Sequence, residues 1–171
     1  MGSPVAEREA VRDVESICRL DLDSRHLRAR IADRLTRIVP SDSWCFGAID
    51  PATLLITDDV SSWVNTNQGA EASARNEYLT DDVLKFSDLA RSGVLAGTLS
   101  AATGGDPDTS SRYRQVLPLV DARHELRTSF VVDGQCWGGI ALFRGGDSPD
   151  FAPPAVALLR RFPHLSQRPA P

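Results

Sequence analysis

Three features of the 171-residue chain predict an α+β fold: a β-hairpin pattern at residues 126–143, shorter apolar strand runs ahead of it, and amphipathic helical runs set before, between and after the strands. The hairpin reads LRTSFVVDGQCWGGIALF, two runs rich in branched and aromatic residues around Asp133-Gly134. That pair suits the positive φ angles of a two-residue type I′ turn. Such a turn pairs Val132 with Gln135, Phe130 with Trp137, Thr128 with Gly139 and Leu126 with Ala141. Opposed residues share a face. One face is therefore expected to carry Leu126, Thr128, Phe130, Val132, Trp137, Gly139 and Ala141. The other carries Val131, Cys136, Ile140 and Leu142, with Ser129 opposite Gly138. Neither face is polar, which predicts a central hairpin covered on both sides. Gly138-Gly139 weakens a strand interior unless a helix, a ligand or a bulge requires it there.

Before the hairpin, Ser3-Pro4 is a helix start, and Ala10, Val11, Val14, Ile17 and Cys18 follow at helical spacing. Residues 24–39 form the clearest helix, with Leu27, Ile31, Leu35, Ile38 and Val39 in one stripe and Pro40 ending it. Arg25, Arg28, Arg30, Arg34 and Arg37 fall on the remainder, read as a solvated face. WCFGAI at 44–49 is a first strand, closed by Asp50-Pro51. Leu54, Leu55, Ile56 and Val60 mark a second. A helix is expected over 70–78. Thr80-Asp81-Asp82 then caps a short helix with Val83, Phe86, Leu89 and Ala90 on one face. Residues 94–99 read as a third strand, 100–110 as a loop and 112–117 as a helix stopped by Pro118. A last helix covers 151–162, and PHLSQRPAP is a Pro-rich tail. The resulting division is a helix at 1–23 that could serve a dimer, a domain at 24–163 and a tail at 164–171.

Composition narrows the function classes. No apolar run approaches the roughly 20 residues that span a bilayer. Cys18, Cys45 and Cys136 are odd in number and widely spaced, and His26, His124 and His164 are isolated. A reducing, cytoplasmic setting is expected, with no metal and no cofactor. The net charge of −4 is unevenly spread, with 3 bases against 11 acids in residues 41–110. No basic stripe with interleaved aromatics occurs, so direct nucleic-acid binding is not expected of this chain. Walker, GxGxxG and GxSxG motifs are absent. Asp58-Asp59 and Asp81-Asp82 are read as a turn and a helix start, since sequence neighbours point apart.

Four strings carry a resemblance: EYLTDDVLKFSDLARS, ATGGDPDTSSRYRQVL, HELRTSFVVDGQCWGGIALFR and FAPPAVALLRR. Together they resemble the N-terminal GAF-like sensory region of bacterial LuxR-type transcriptional regulators, over most of residues 25–165. The resemblance implies a six-stranded antiparallel sheet between an N- and C-terminal helical layer and a lid of short helices and loops. It also implies a following helix-turn-helix domain, which nothing after Pro163 could form. The NKFDE signature of cyclic-nucleotide GAF domains is not matched, nor is a bilin-attachment cysteine.

Aromatics interleaved with small residues suggest a lined pocket for a neutral, flat or apolar metabolite. The candidate ligand-binding residues are Phe46, Thr128, Phe130, Trp137 and Gly139 on the sheet, under a lid carrying Tyr78, Phe86 and Tyr113. The expected function is that of a ligand-binding sensor, homodimeric through its N- and C-terminal helices. Two alternatives stay open: a ligand-free structural dimerisation domain, and a thiol-dependent reductase using Cys45 or Cys136.

Overall fold

Asp133 (φ 50°) and Gly134 (φ 77°) both take the left-handed conformation and close a two-residue turn between the two longest strands. The computed structural model describes residues 4–63 and 67–162. The expected cap at Ser3 and the tail from Pro163 lie outside the described residues.

The strands are β1 (Ser43–Ile49), β2 (Ile56–Ser61), β3 (Ala96–Thr98), β4 (His124–Val132) and β5 (Gln135–Arg144). They form one antiparallel sheet in the order β2-β1-β5-β4-β3, close to the six strands expected, with the predicted hairpin at its centre. The longer helices are α1 (Pro4–Cys18), α2 (Ser24–Ile38), α3 (Asn67–Leu79), α4 (Phe86–Ser92) and α7 (Pro153–Leu159). Shorter ones are α5 (Leu99–Ala102) and α6 (Ser111–Gln115), with 3-10 turns at Pro107–Thr109 and Leu117–Val120. The segment read as a loop at 100–110 thus holds one helical turn on each side of its glycines. Among the described residues no helix is long and apolar enough to cross a membrane.

Two cores sandwich the sheet. On one face Ala10 and Val14 of α1, Leu27, Ile31 and Leu35 of α2, and Leu158 and Leu159 of α7 pack on Phe46, Leu126, Phe130, Ile140 and Leu142. Helices α1 and α7 thus share one layer, and Arg161 also donates to Glu7 at 3.1 Å. On the other face Phe86, Leu89, Leu99 and Leu117 pack on Cys136, Ala141 and Phe143.

The register of the hairpin departs from the simple reading. Val132 pairs with Gln135 as expected, but beyond Val131–Cys136 the ladder shifts, so that Phe130 faces Gly138, Thr128 faces Ile140 and Leu126 faces Leu142. Trp137 is the extra residue of a β-bulge. One inserted residue moves everything after it on that strand to the opposite face. Leu126, Thr128 and Phe130 therefore join Ile140 and Leu142 on the helical side. Arg127 and Ser129 join Gly139 and Ala141 on the side of the short helices.

One arginine of α2 also departs from expectation. Arg28 is buried, and its guanidinium donates to the Phe46 carbonyl at 2.9 Å and pairs with Asp58. The helix interior can carry it because β2, an edge strand, presents its carboxylate directly opposite.

Candidate functional site

A cavity of about 270 Å³ lies between the sheet and α3. Its floor is built by Cys45 and Gly47 of β1 and Ala141 and Phe143 of β5. Its roof is the small-residue face of α3, with Gly69, Ala70, Ser73 and Ala74. These side chains are too short to fill the space that the helix spans, which is why it stays open. Trp63, Tyr78 and Phe86 close its sides, with Trp63 edge-on to Phe143 at 5.3 Å between ring centres.

One wall of the cavity is a buried ionic network. Glu125 of β4 accepts from the Arg112 Nε of α6 at 2.7 Å through one oxygen and from the Arg127 Nε at 2.7 Å through the other. Arg127 also donates to Glu77 of α3 at 2.7 Å, and its guanidinium lies 4.5 Å over the Phe86 ring. The second oxygen of Glu77 accepts from the Phe86 backbone N–H at 2.8 Å and so caps α4, where Lys85 offers no side-chain cap. Arg112 completes its set with Asn76 at 3.1 Å and the Val83 carbonyl at 2.8 Å. Asp82 accepts from Asn76, Ser110, its neighbour Val83 and the Arg112 backbone N–H. It serves the start of α6, rather than the helix at 86–92 for which Thr80-Asp81-Asp82 was expected. Leu84 sits at φ 58°, unfavourable for a branched side chain, in the loop whose carbonyls receive both arginines.

Burial alone would raise the carboxyl of Glu125, but the guanidinium groups of Arg112 and Arg127 outweigh it and hold it below its ordinary value. Asp82 is held low in the same way, its four hydrogen bonds overcoming desolvation. Arg112 is lowered by burial and by the charge of Arg127, with Glu125 opposing. For Arg127 the burial penalty is outweighed by Glu125 and Glu77, so its value rises.

The eight sequence-predicted site residues do not form one site. Tyr78 and Phe86 line the cavity, and the Tyr78 hydroxyl accepts from the Ile56 N–H at 2.7 Å. Phe46, Thr128 and Phe130 lie on the other face of the sheet, where Phe46 stacks on Phe130 at 5.0 Å. Trp137, displaced by the bulge, is 41% exposed. Gly139 faces the lid, but a Cβ there would stand 2.4 Å from Phe86, so the gap is filled by that ring. Tyr113 lines a separate hollow of about 280 Å³ with Ser100, Arg123 and His124. Gly47, Trp63, Ala141, Phe143 and the charged wall were missed as site residues, and Cys45 was named only as a reductase thiol. The signal of the charged wall was present in ELR, RYR and EYLTDD, where charged residues stand among apolar and aromatic ones.

Asp58 and Asp59 lie within β2 and point to opposite faces. Asp58 meets Arg25 and Arg28 of α2, and Asp59 lines the cavity. The Cys45 thiol is 3.8 Å from Asp59, and burial, reinforced by that carboxylate, pushes it up to about 12. Cys45 pairs with Ala141, five positions along β5 from Cys136, a separation of roughly 16 Å at the strand rise and well outside disulfide reach.

No family model matches the chain, and no curated protein matches it. Solved structures do. The GAF domain of cyanobacteriochrome TePixJ superposes with a TM-score of 0.55 at 11% identity, covering 87% of this chain and 89% of that one. The VqsR LBD domain from Pseudomonas aeruginosa gives 0.55 at 17% identity, over 93% and 96% of the two chains. The phytochrome photosensory core module of Stigmatella aurantiaca gives 0.55 at 13% identity, over 95% of this chain and 36% of that one. The chain has a GAF-like fold.

Proposed function

We propose that this chain is a ligand-sensing GAF-like domain that controls a transcriptional regulator of the LuxR type. The observation that carries the reading is the cavity of about 270 Å³ between the sheet and α3, whose ionic wall is already satisfied within the protein. A space lined by small residues and aromatics, with few polar groups converging on it, is how a small-molecule site is built. The family resemblance supplies the regulator, and the name of one structural neighbour, an LBD, is in keeping with it. In this reading the layer of α1, α2 and α7 is the dimer face, and DNA is contacted by another domain. The thiol reductase finds no support in Cys45, a thiol pushed up to about 12 and out of reach of Cys136.

Ala141 is 3% exposed on the cavity floor, so Ala141→Leu tests the space directly. An open site accepts the larger side chain within about 1.5 kcal/mol, whereas a packed core is strained by about 1–3 kcal/mol. Thermal melts of both proteins against a metabolite library are expected to show compounds that stabilise the parent and not the variant. A parent stabilised by no compound, beside a variant several kcal/mol less stable, leaves a ligand-free dimerisation domain instead. Light scattering is expected to show a dimer, and a monomer at high concentration removes the helical layer as its interface.

A further inference from the structure

Among the described residues four charged side chains line the cavity, the acids Asp59, Glu77 and Glu125 and the base Arg127. Arg127 is the one cation among the described lining residues, and it is fully engaged, with Glu125 and Glu77 each at 2.7 Å and the Phe86 ring against its face. An anionic ligand would have to displace a carboxylate to reach it, and would face uncompensated negative charge while doing so. Asp59 is in the opposite position. Arg25 and Arg28 of α2 are taken by Asp58 on the far face of β2, and the hydrogen-bond partner of Asp59 among the described residues is the Cys45 thiol at 3.8 Å, a weak donor. A carboxylate that faces a partly enclosed space beside Trp63 and Phe143 has acceptor capacity to spare, and the ring faces attract positive charge.

We infer that the cavity takes a small organic cation, an ammonium or amidinium head held by the Asp59 carboxylate with an apolar or aromatic body against Trp63 and Phe143. This rests on the reading of the cavity as a ligand site and narrows the ligand class. The neutral Cys45 thiol adds no second negative charge beside the head group. A volume of about 270 Å³ limits the body to a single ring system or its aliphatic equivalent. A purely structural role for Asp59 exists as well: an inward-pointing charge on an edge strand discourages pairing with another sheet. That role is indifferent to what enters the cavity.

Tryptamine, tryptophol and indole-3-propionate share one ring and differ in the head group, and each can be titrated into the full chain by calorimetry and ligand-observed NMR. Tryptamine is expected to bind at least tenfold more tightly than indole-3-propionate. Asp59→Asn is expected to erase that preference while leaving tryptophol within about twofold of its parent value, with Asp59→Ser as the second variant should the first unfold. Equal binding of the three probes by the parent, or a preference that survives both substitutions, overturns the cationic class and leaves the ligand site standing. No binding of any probe at millimolar concentration overturns both.

Discussion

Glu125→Gln isolates the charge at the centre of the ionic network while keeping its shape. Glu125 is fully buried, and each of its oxygens accepts from a different arginine at 2.7 Å. The two arginines are not equally dependent on it. Arg127 retains Glu77, but Arg112 is left with the amide oxygen of Asn76 and the carbonyl of Val83, both uncharged. The substitution therefore strands a cation that no solvent reaches. Breaking a buried pair from one side costs about 3–5 kcal/mol, which is a large part of the roughly 5–15 kcal/mol that holds a domain together. Urea unfolding followed by circular dichroism is expected to show that loss with an unchanged slope. The pH dependence follows from the same geometry. The carboxyls of Glu125 and Asp82 are held below their ordinary values, so the stability they contribute is present above an unfolded pKa of about 4 and is lost as pH falls through their lowered values. The parent is expected to weaken steeply in acid below about pH 4, and Glu125→Gln less steeply over that window. A variant within about 1 kcal/mol of the parent, or an unaltered acid profile, would refute the reading of this network as a buried charge cluster that ties α3 and α6 to β4.

Two further outcomes probe the hairpin and the thiols. Gly139→Ala places a methyl group 2.4 Å from Phe86 and is expected to lose about 1–3 kcal/mol in denaturant melts. Trp137→Ala, at a residue 41% exposed, is expected to lose under about 1 kcal/mol; a reversal of that order would remove the bulge. Cys45 is pushed up to about 12 by burial and by Asp59, so iodoacetamide at pH 8 is expected to leave it unmodified in the native protein and to alkylate it in urea. Rapid native alkylation detected by mass spectrometry would show an open, ionised thiol instead.

What could be read from the chain divides along the range of the interactions involved. The Asp133-Gly134 turn, the α2 stripe and the central position of the hairpin are local signals, and all three are legible in residues a few positions apart. The bulge at Trp137 is not. It sets Gly139 under the Phe86 ring, which comes from a helix some 50 residues earlier, and periodicity along one strand carries no trace of that contact. Gly138-Gly139 marked the place without saying which way the strand would turn. One residue of slip then carried Phe130 and Thr128 to the helical side and brought Arg127 to the cavity, so most of the expected pocket was built on the wrong face. The charged wall escaped for a related reason. Glu125 and Arg127 flank Leu126, and burial of such residues makes sense only when Arg112 and Glu77 arrive from other elements.

Asn76, Glu77, Arg112, Glu125 and Arg127 come from three separate stretches of chain and satisfy one another away from water. Losing any one of them strands its neighbours, while replacing the group with apolar residues requires several substitutions at once. Such a quintet resists gradual drift: a lineage keeps it intact or abandons it in concert, whatever happens to the surface around it. Two descendants that have diverged almost everywhere else would then still match at these five places. For a chain that shares only 11–17% identity with the three structural neighbours described above, agreement at that quintet measures kinship better than a percentage taken over the whole length.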